Sequence, residues 1–163
     1  GLKLLLQALS KIDDRKKIRL VVAGEFYEDR AKYTKLIDKL GLGANVIVNA
    51  GFVDKFKVRY YFCAADIVAQ PYLTATQSGV TQIAYHYDIP MLVTNVGGLP
   101  EMVPNERVGY VCEVDPNSVA EGLQSFFDEN KAEEFQKNIA EEKKRFQWDY
   151  FAKEIQNLAK NLR

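Results

Sequence analysis

The sequence is short of the residues that most often carry chemistry by themselves. Among 163 residues it has one histidine, two cysteines, two methionines and one tryptophan. The lone histidine, His86, has no nucleophile or metal partner beside it, so no Ser/His/Asp set and no metal cluster can be assembled; between Tyr85 and Tyr87 on a helix it reads as structural. Two cysteines make no disulfide framework, and Cys63 and Cys112 lack zinc-ligand spacing, so both read as buried small hydrophobes in a reducing setting. No sign of charge is in excess, with Lys+Arg and Asp+Glu at 22 each, which excludes the basic footprint of a nucleic-acid binder. No apolar run approaches the roughly 18 residues of a membrane span, and no signal peptide is visible, so a cytoplasmic location is expected. A Walker loop and a Gly-x-Gly-x-x-Gly fingerprint are both missing, which counts against an NTPase and against NAD. With no repeat, low-complexity tract or linker, residues 1–163 read as one ordinary globular domain, 47% hydrophobic and 27% charged.

What is present is periodicity. Leu2, Leu5, Leu6, Leu9 and Ile12 fall on one helical face. Ile18 to Ala23 is a short apolar run ended by Gly24, and Val46 to Val48 is another, ended by a turn at Gly51. Between them Tyr33, Leu36, Ile37 and Leu40 repeat the helical spacing. Phe56, Tyr60, Cys63 and Ala64 predict a further buried helix face, Asp66 to Gln70 a third strand, Met91 to Thr94 a fourth and Gly109 to Cys112 a short fifth. Val119, Leu123, Phe126 and Phe127 line a helix from Pro116, with Asn117 or Ser118 as its cap. The tail, 131–163, is charged and helical, with Phe135, Ile139, Phe151, Ile155, Leu158 and Leu162 as its apolar positions and its charges as a solvated face. Strands alternating with helices predict a Rossmann-like α/β fold: a doubly wound, mainly parallel sheet with helices on both faces and a helical carboxyl-terminal tail.

The chain is organised around Pro71 to Gly98, which runs from a strand through a polar loop, a helix and a second strand into Gly97-Gly98. Open α/β sheets build ligand crevices at such carboxyl ends. The backbone N–H groups of Gln77, Ser78, Gly79 and Val80 open the helix and suit an anion, most simply a diphosphate; Thr76 and Ser78 add hydroxyls and Gln77 an amide. Capping alone would also explain Thr76 to Ser78. Glu25, after Gly24, is expected on the crevice rim, and Phe52 and Val53 follow Gly51 at another strand end.

Together these segments resemble the carboxyl-terminal, donor-binding half of a family-4 glycosyltransferase of the GT-B type (group 1 glycosyl transferases). The resemblance rests on Gly1 to Leu9, Leu20-Val-Val-Ala-Gly-Glu25, Val46 through Gly51-Phe52-Val53, Ala65-Asp66 to Pro71, Asp88-Ile-Pro90, Thr94-Asn-Val-Gly-Gly-Leu-Pro-Glu101, Val108-Gly109 with Val114-Asp115-Pro116, and Phe146-Gln-Trp148. It implies retaining transfer of a sugar from a nucleotide-diphosphosugar to a glycan or lipid-linked acceptor, without a metal or other cofactor. Thr76, Gln77, Ser78, Gly79 and Val80 would then hold the donor's diphosphate and sugar. Glu25, Phe52, Val53 and Gln82 would meet the nucleoside, and Gly97, Gly98 and Glu101 would shape the cleft floor and rim.

Two departures qualify the likeness. The family brackets its phosphate loop with two glutamates, one facing the sugar and one the ribose; an ungapped count places Ala75 and Ile83 there. Gln82, one position earlier, is the available substitute for the second. The family's first strand and its phosphate-clamping Arg and Lys would precede Gly1, so the sequence reads as a fragment whose acceptor site and catalytic residues lie elsewhere. The isolated fragment is expected to be inactive, and to pair with a second copy through exposed strands; the full-length protein is expected at a membrane periphery. The alternatives are a non-catalytic binding or regulatory module and a sugar-nucleotide epimerase or hydrolase on the same fold.

Overall fold

In the computed structural model, which describes residues 1–14 and 17–161, five strands alternate with helices. The strands are β1 (Leu20–Gly24), β2 (Val46–Ala50), β3 (Val68–Gln70), β4 (Met91–Thr94) and β5 (Gly109–Cys112). The helices are α1 (Leu2–Leu9), α2 (Arg30–Lys39), α3 (Lys55–Cys63), α4 (Gly79–His86), α5 (Leu99–Met102), α6 (Pro116–Asp128), α7 (Ala132–Glu142) and α8 (Trp148–Asn161). Every strand pairing is parallel, with Leu20 opposite Val46, Val68 opposite Met91 and Met91 opposite Gly109.

The strands form two sheets, β1–β2 and β3–β4–β5, and β1 is not paired with β3. A shared core holds them together. Leu4, Leu5, Leu6 and Leu9 of α1 pack with Leu92 of β4, with Val119 and Leu123 of α6, and with half-buried Leu20 and Val46 of the first sheet. The opposite face of β4 supplies Met91 and Val93 to a second cluster with Ala84 and Tyr85 of α4, Leu99, Val103 and Val108. Both faces of β4 are thus covered, which is why its four residues are all apolar or buried rather than alternating. The Rossmann-like arrangement expected from the sequence is the one observed.

The first sheet is covered on one face only. Val21 and Ile47 point the other way and are exposed. The helix α3 was expected to bury Phe56, Tyr60 and Cys63, yet none of its residues is buried, and Ala64 beyond it is exposed too. Periodicity reports that a helix has an apolar side; burial also needs a surface beneath it, and here the β1–β2 face stays open. Cys63 is therefore exposed, while Cys112 is buried and its thiol is pushed up to about 11 by desolvation. A similar contrast runs through the tail. Phe135 and Ile139 of α7 are buried, whereas Trp148, Phe151, Ile155 and Leu158 of α8 are exposed; Leu162, expected on the same face, lies outside the described residues. No described helix is long and apolar enough to cross a membrane.

The cap of α6 also differs from expectation. Asp115, not Asn117 or Ser118, is the N-cap, its carboxylate accepting from the N–H groups of both. Those bonds, first that from Ser118, hold its carboxyl below the ordinary value. A depressed carboxylate stabilises the fold above the unfolded value and loses that contribution as pH falls through the folded one. The melting-temperature gap between wild type and Asp115→Ala should therefore close on acidification below the usual carboxylate range. Leu6→Ala, which empties a fully buried position beneath both sheets, should cost about 2–5 kcal/mol in denaturant unfolding.

Candidate functional site

The polar loop leaves β3 at Pro71 and enters α4 at Ser78. Ser78 is the N-cap: in extended conformation (φ −136°, ψ 125°), its hydroxyl oxygen accepts the Val80 N–H at 3.2 Å. A helix cap needs this geometry, and serine supplies it. Val80's N–H is thereby spent, leaving those of Gln77, Ser78 and Gly79 with no protein acceptor among the described residues. Gly79 carries no side chain and its surroundings are open, so the first turn of α4 is approachable. It opens into a cleft of about 640 Å³ lined by Tyr72, Thr74, Ala75, Thr76, Gln77, Ser78, Gly79, Val80 and Ile83. Helix N–H groups and the positive end of the helix dipole meet in one concave surface, the arrangement that receives an anion.

The second loop of the site leaves β4 at Thr94. Gly97 has φ +52°, and a Cβ there would lie 1.8 Å from the Ala75 carbonyl oxygen. The Gly98 N–H donates to the Thr76 carbonyl at 2.9 Å. The polar loop therefore rests directly on the Gly97–Gly98 backbone, as close as two chains without side chains can come. The Thr94 hydroxyl adds a bond to the Tyr72 carbonyl. Tyr85, deep in α4, donates to the Met102 carbonyl of α5; burial pushes its phenol up to about 12, so it remains an anchoring donor and not an acid–base group.

The expected phosphate residues Thr76, Gln77, Ser78, Gly79 and Val80 all line the cleft. Gln82 does not; it lines an adjoining cavity of about 400 Å³ with Lys55, Val58, Ile83, His86 and Tyr87, and Ile83 belongs to both. The exposed imidazole of His86 stands edge-on to Tyr87, with ring centroids 4.8 Å apart. Glu25, Phe52 and Val53 follow β1 and β2 and lie outside both cavities, Phe52 with 80% of its surface exposed. Gly97 and Gly98 lie behind the loop rather than in the cleft wall. Glu101 is exposed on α5, and its carbonyl accepts from Arg145. Sequence reading missed Tyr72, Thr74 and, beneath the cleft, Gln70; the available signal was a polar residue closing the apolar run Ile67-Val-Ala-Gln70. Ala75 and Ile83 do line the cleft, and among the described residues no carboxylate does. The start of α1 also lies here, since a Cβ on Gly1 would fall 2.0 Å from the Pro71 carbonyl oxygen.

A doubly wound α/β domain that offers a helix start at the carboxyl ends of parallel strands is a nucleotide-binding type of architecture. More specifically, the chain belongs to the group 1 glycosyl transferases, whose family model matches residues 1–146. It is 30% identical over 164 aligned residues to an uncharacterized glycosyltransferase of Methanocaldococcus jannaschii, covering 98% of this chain and 41% of that protein. The fold matches that of HepE of Anabaena in complex with UDP, with TM-score 0.80 and 17% identity over 99% of this chain and 45% of that one. It also matches the carboxyl-terminal domain of a group 1 glycosyl transferase of Francisella tularensis (TM-score 0.71, 19% identity), covering 88% of this chain and 77% of that one. The chain thus spans about two fifths of the curated relative, and its structural neighbours are GT-B glycosyltransferases.

The Gly97 contact yields a direct test. Gly97→Ala must either leave its left-handed conformation or push the Ala75 carbonyl away, so both stability and ligand affinity should fall. Melting and calorimetric titration with UDP, on the full-length protein, would register a loss of several degrees and a several-fold weaker Kd.

Proposed function

We propose that the full-length protein transfers a sugar from a nucleotide-diphosphosugar to a glycan or lipid-linked acceptor with retention, and that this chain supplies most of the donor site. The observation that carries the reading is the first turn of α4, opening with unpartnered N–H groups into the cleft. Departure of a nucleoside diphosphate builds negative charge on its phosphate oxygens, and preorganised N–H donors stabilise that charge without reorganising at the moment of reaction. The UDP complex of HepE, on the same fold, supports a nucleoside diphosphate as the ligand. Because the start of α1 touches Pro71, cationic side chains placed just ahead of it by the remainder of the protein would reach the cleft. The same remainder would add a strand between the unpaired β1 and β3 and so give α3 and the open β1–β2 face something to cover.

Ala75 and Ile83 favour a second reading, a donor site retained for binding or regulation after its carboxylates were lost. An assay of the full-length protein for nucleotide release from UDP-, GDP- and ADP-sugars separates the two: release with transfer supports the enzyme, tight binding without turnover the module. Gly79→Pro tests the site itself. Proline suits the first helical position and the extended Ser78 before it, but deletes one N–H. Melting should be unchanged, while UDP binding by the full-length protein should weaken about tenfold, the loss of one hydrogen bond to a charged group; unchanged affinity would sink the phosphate assignment.

A further inference from the structure

Buried polar side chains are concentrated at the cleft. Gln70, Ser78, Thr81 and Thr94 are all buried, and all four lie at the ends of β3 and β4 or in the first turn of α4. Their hydrogen bonds form a chain. The Ser78 hydroxyl donates to Gln70 Oε1 at 2.8 Å, accepts the Val80 N–H, and stands 3.3 Å from the Tyr72 hydroxyl, which faces the cleft. One group is left over. Gln70 is only 2% exposed, and its Nε2 is buried with no acceptor among the described residues. An apolar residue would fit the end of this strand at lower cost, and buried amides with an unmatched donor persist where they serve a function.

Counting protons shows what the amide controls. With Oε1 toward Ser78, the serine proton goes to Gln70, and the second lone pair of Ser78 Oγ is free to accept from Tyr72. The phenol proton then points inward and its oxygen presents lone pairs to the cleft. Turning the carboxamide over exchanges two groups of equal size. Nε2 then donates to Ser78 Oγ, whose own proton moves to the Tyr72 oxygen, and the phenol proton is directed into the cleft. No proton is gained or lost.

We propose that Tyr72 is an anion-binding residue and that Gln70 is its positioning residue, the carboxamide turning over when a phosphate group enters so that Tyr72 becomes a donor. This rests on the reading of the α4 start as a phosphate site and adds two residues to it. The chemistry recognised is that of a diphosphate, whether carried by a nucleotide or free, and titration with UDP and with inorganic pyrophosphate distinguishes the sources.

The test uses three variants of the full-length protein, Tyr72→Phe, Gln70→Met and the double variant, with Gly79→Pro as reference. Tyr72→Phe should weaken UDP binding about tenfold. Gln70→Met should instead tighten it several-fold, because without Oε1 the Ser78 proton passes to the Tyr72 oxygen and the phenol proton already faces the cleft. The double variant should bind as Tyr72→Phe does. Pyrophosphate should follow the same pattern if the diphosphate alone is recognised. Melting temperatures should stay level or rise for Gln70→Met, since methionine replaces the unmatched amide at similar volume; a merely structural glutamine would lower them and leave Kd unmoved. Wild-type affinity in Tyr72→Phe, or wild-type or weaker affinity in Gln70→Met, with Gly79→Pro still weakened, would overturn this assignment alone. A double variant that binds tighter than Tyr72→Phe would overturn the coupling. Failure of the wild type to bind either probe, or of Gly79→Pro to weaken it, would overturn the phosphate site and this inference together.

Discussion

The candidate site depends on one contact between two loops that leave neighbouring parallel strands. Gly97 and Gly98 bring their backbone against Ala75 and Thr76, and a single hydrogen bond from Gly98 to Thr76 fixes the approach. Because the strands are parallel, both loops emerge on the same side, and β4, buried on both faces, holds that side still. The polar loop can then turn sharply into Ser78, and Ser78 can start α4 with its hydroxyl inward. Remove the contact and the N–H groups of the first turn have no fixed direction. A receptor for a delocalised charge needs that direction more than it needs any particular side chain.

Much of the architecture was legible because strand and helix periods are strong signals when the buried face is continuous. Leu2, Leu5, Leu6 and Leu9 announce α1, and Pro90 with Met91 to Thr94 announces β4. Legibility failed where an apolar side exists but nothing lies beneath it. Phe56, Tyr60 and Cys63 have helical spacing, yet all three are exposed and α3 packs inward only through half-buried residues such as Phe62, and the apolar stripe of α8 is likewise uncovered. A sequence period carries no information about the far side of the contact. The cap of α6 was misassigned for a smaller reason, since Asp115, Asn117 and Ser118 all suit the position and only the backbone decides among them.

The site was legible in its backbone and not in its side chains. Thr76 to Val80 could be placed from the switch of strand to helix, and they gather in the cleft. Glu25, Phe52 and Val53 follow strand ends and do not line that cleft, and Gln82 of α4 lines the adjoining cavity. Gln70 and Tyr72 carry no motif. Their meaning comes from a hydrogen-bond count, which needs coordinates: a glutamine closing an apolar strand reads as tolerance until its amide nitrogen is found without a partner among the described residues.

The lining of the cleft and the loop contact beneath it come from residues 70–98, one strand–helix–strand unit. Contacts so near in sequence close short loops and carry a low entropic cost of ordering. The adjoining cavity is different, because Lys55 and Val58 must be brought in across the unpaired boundary between the two sheets. The cleft thus belongs to a locally encoded unit and the adjoining cavity to long-range assembly. During folding, and in any variant that loosens the first sheet, the two cavities can separate in time and in sensitivity, the cleft at the start of α4 persisting while the cavity beside α3 is lost.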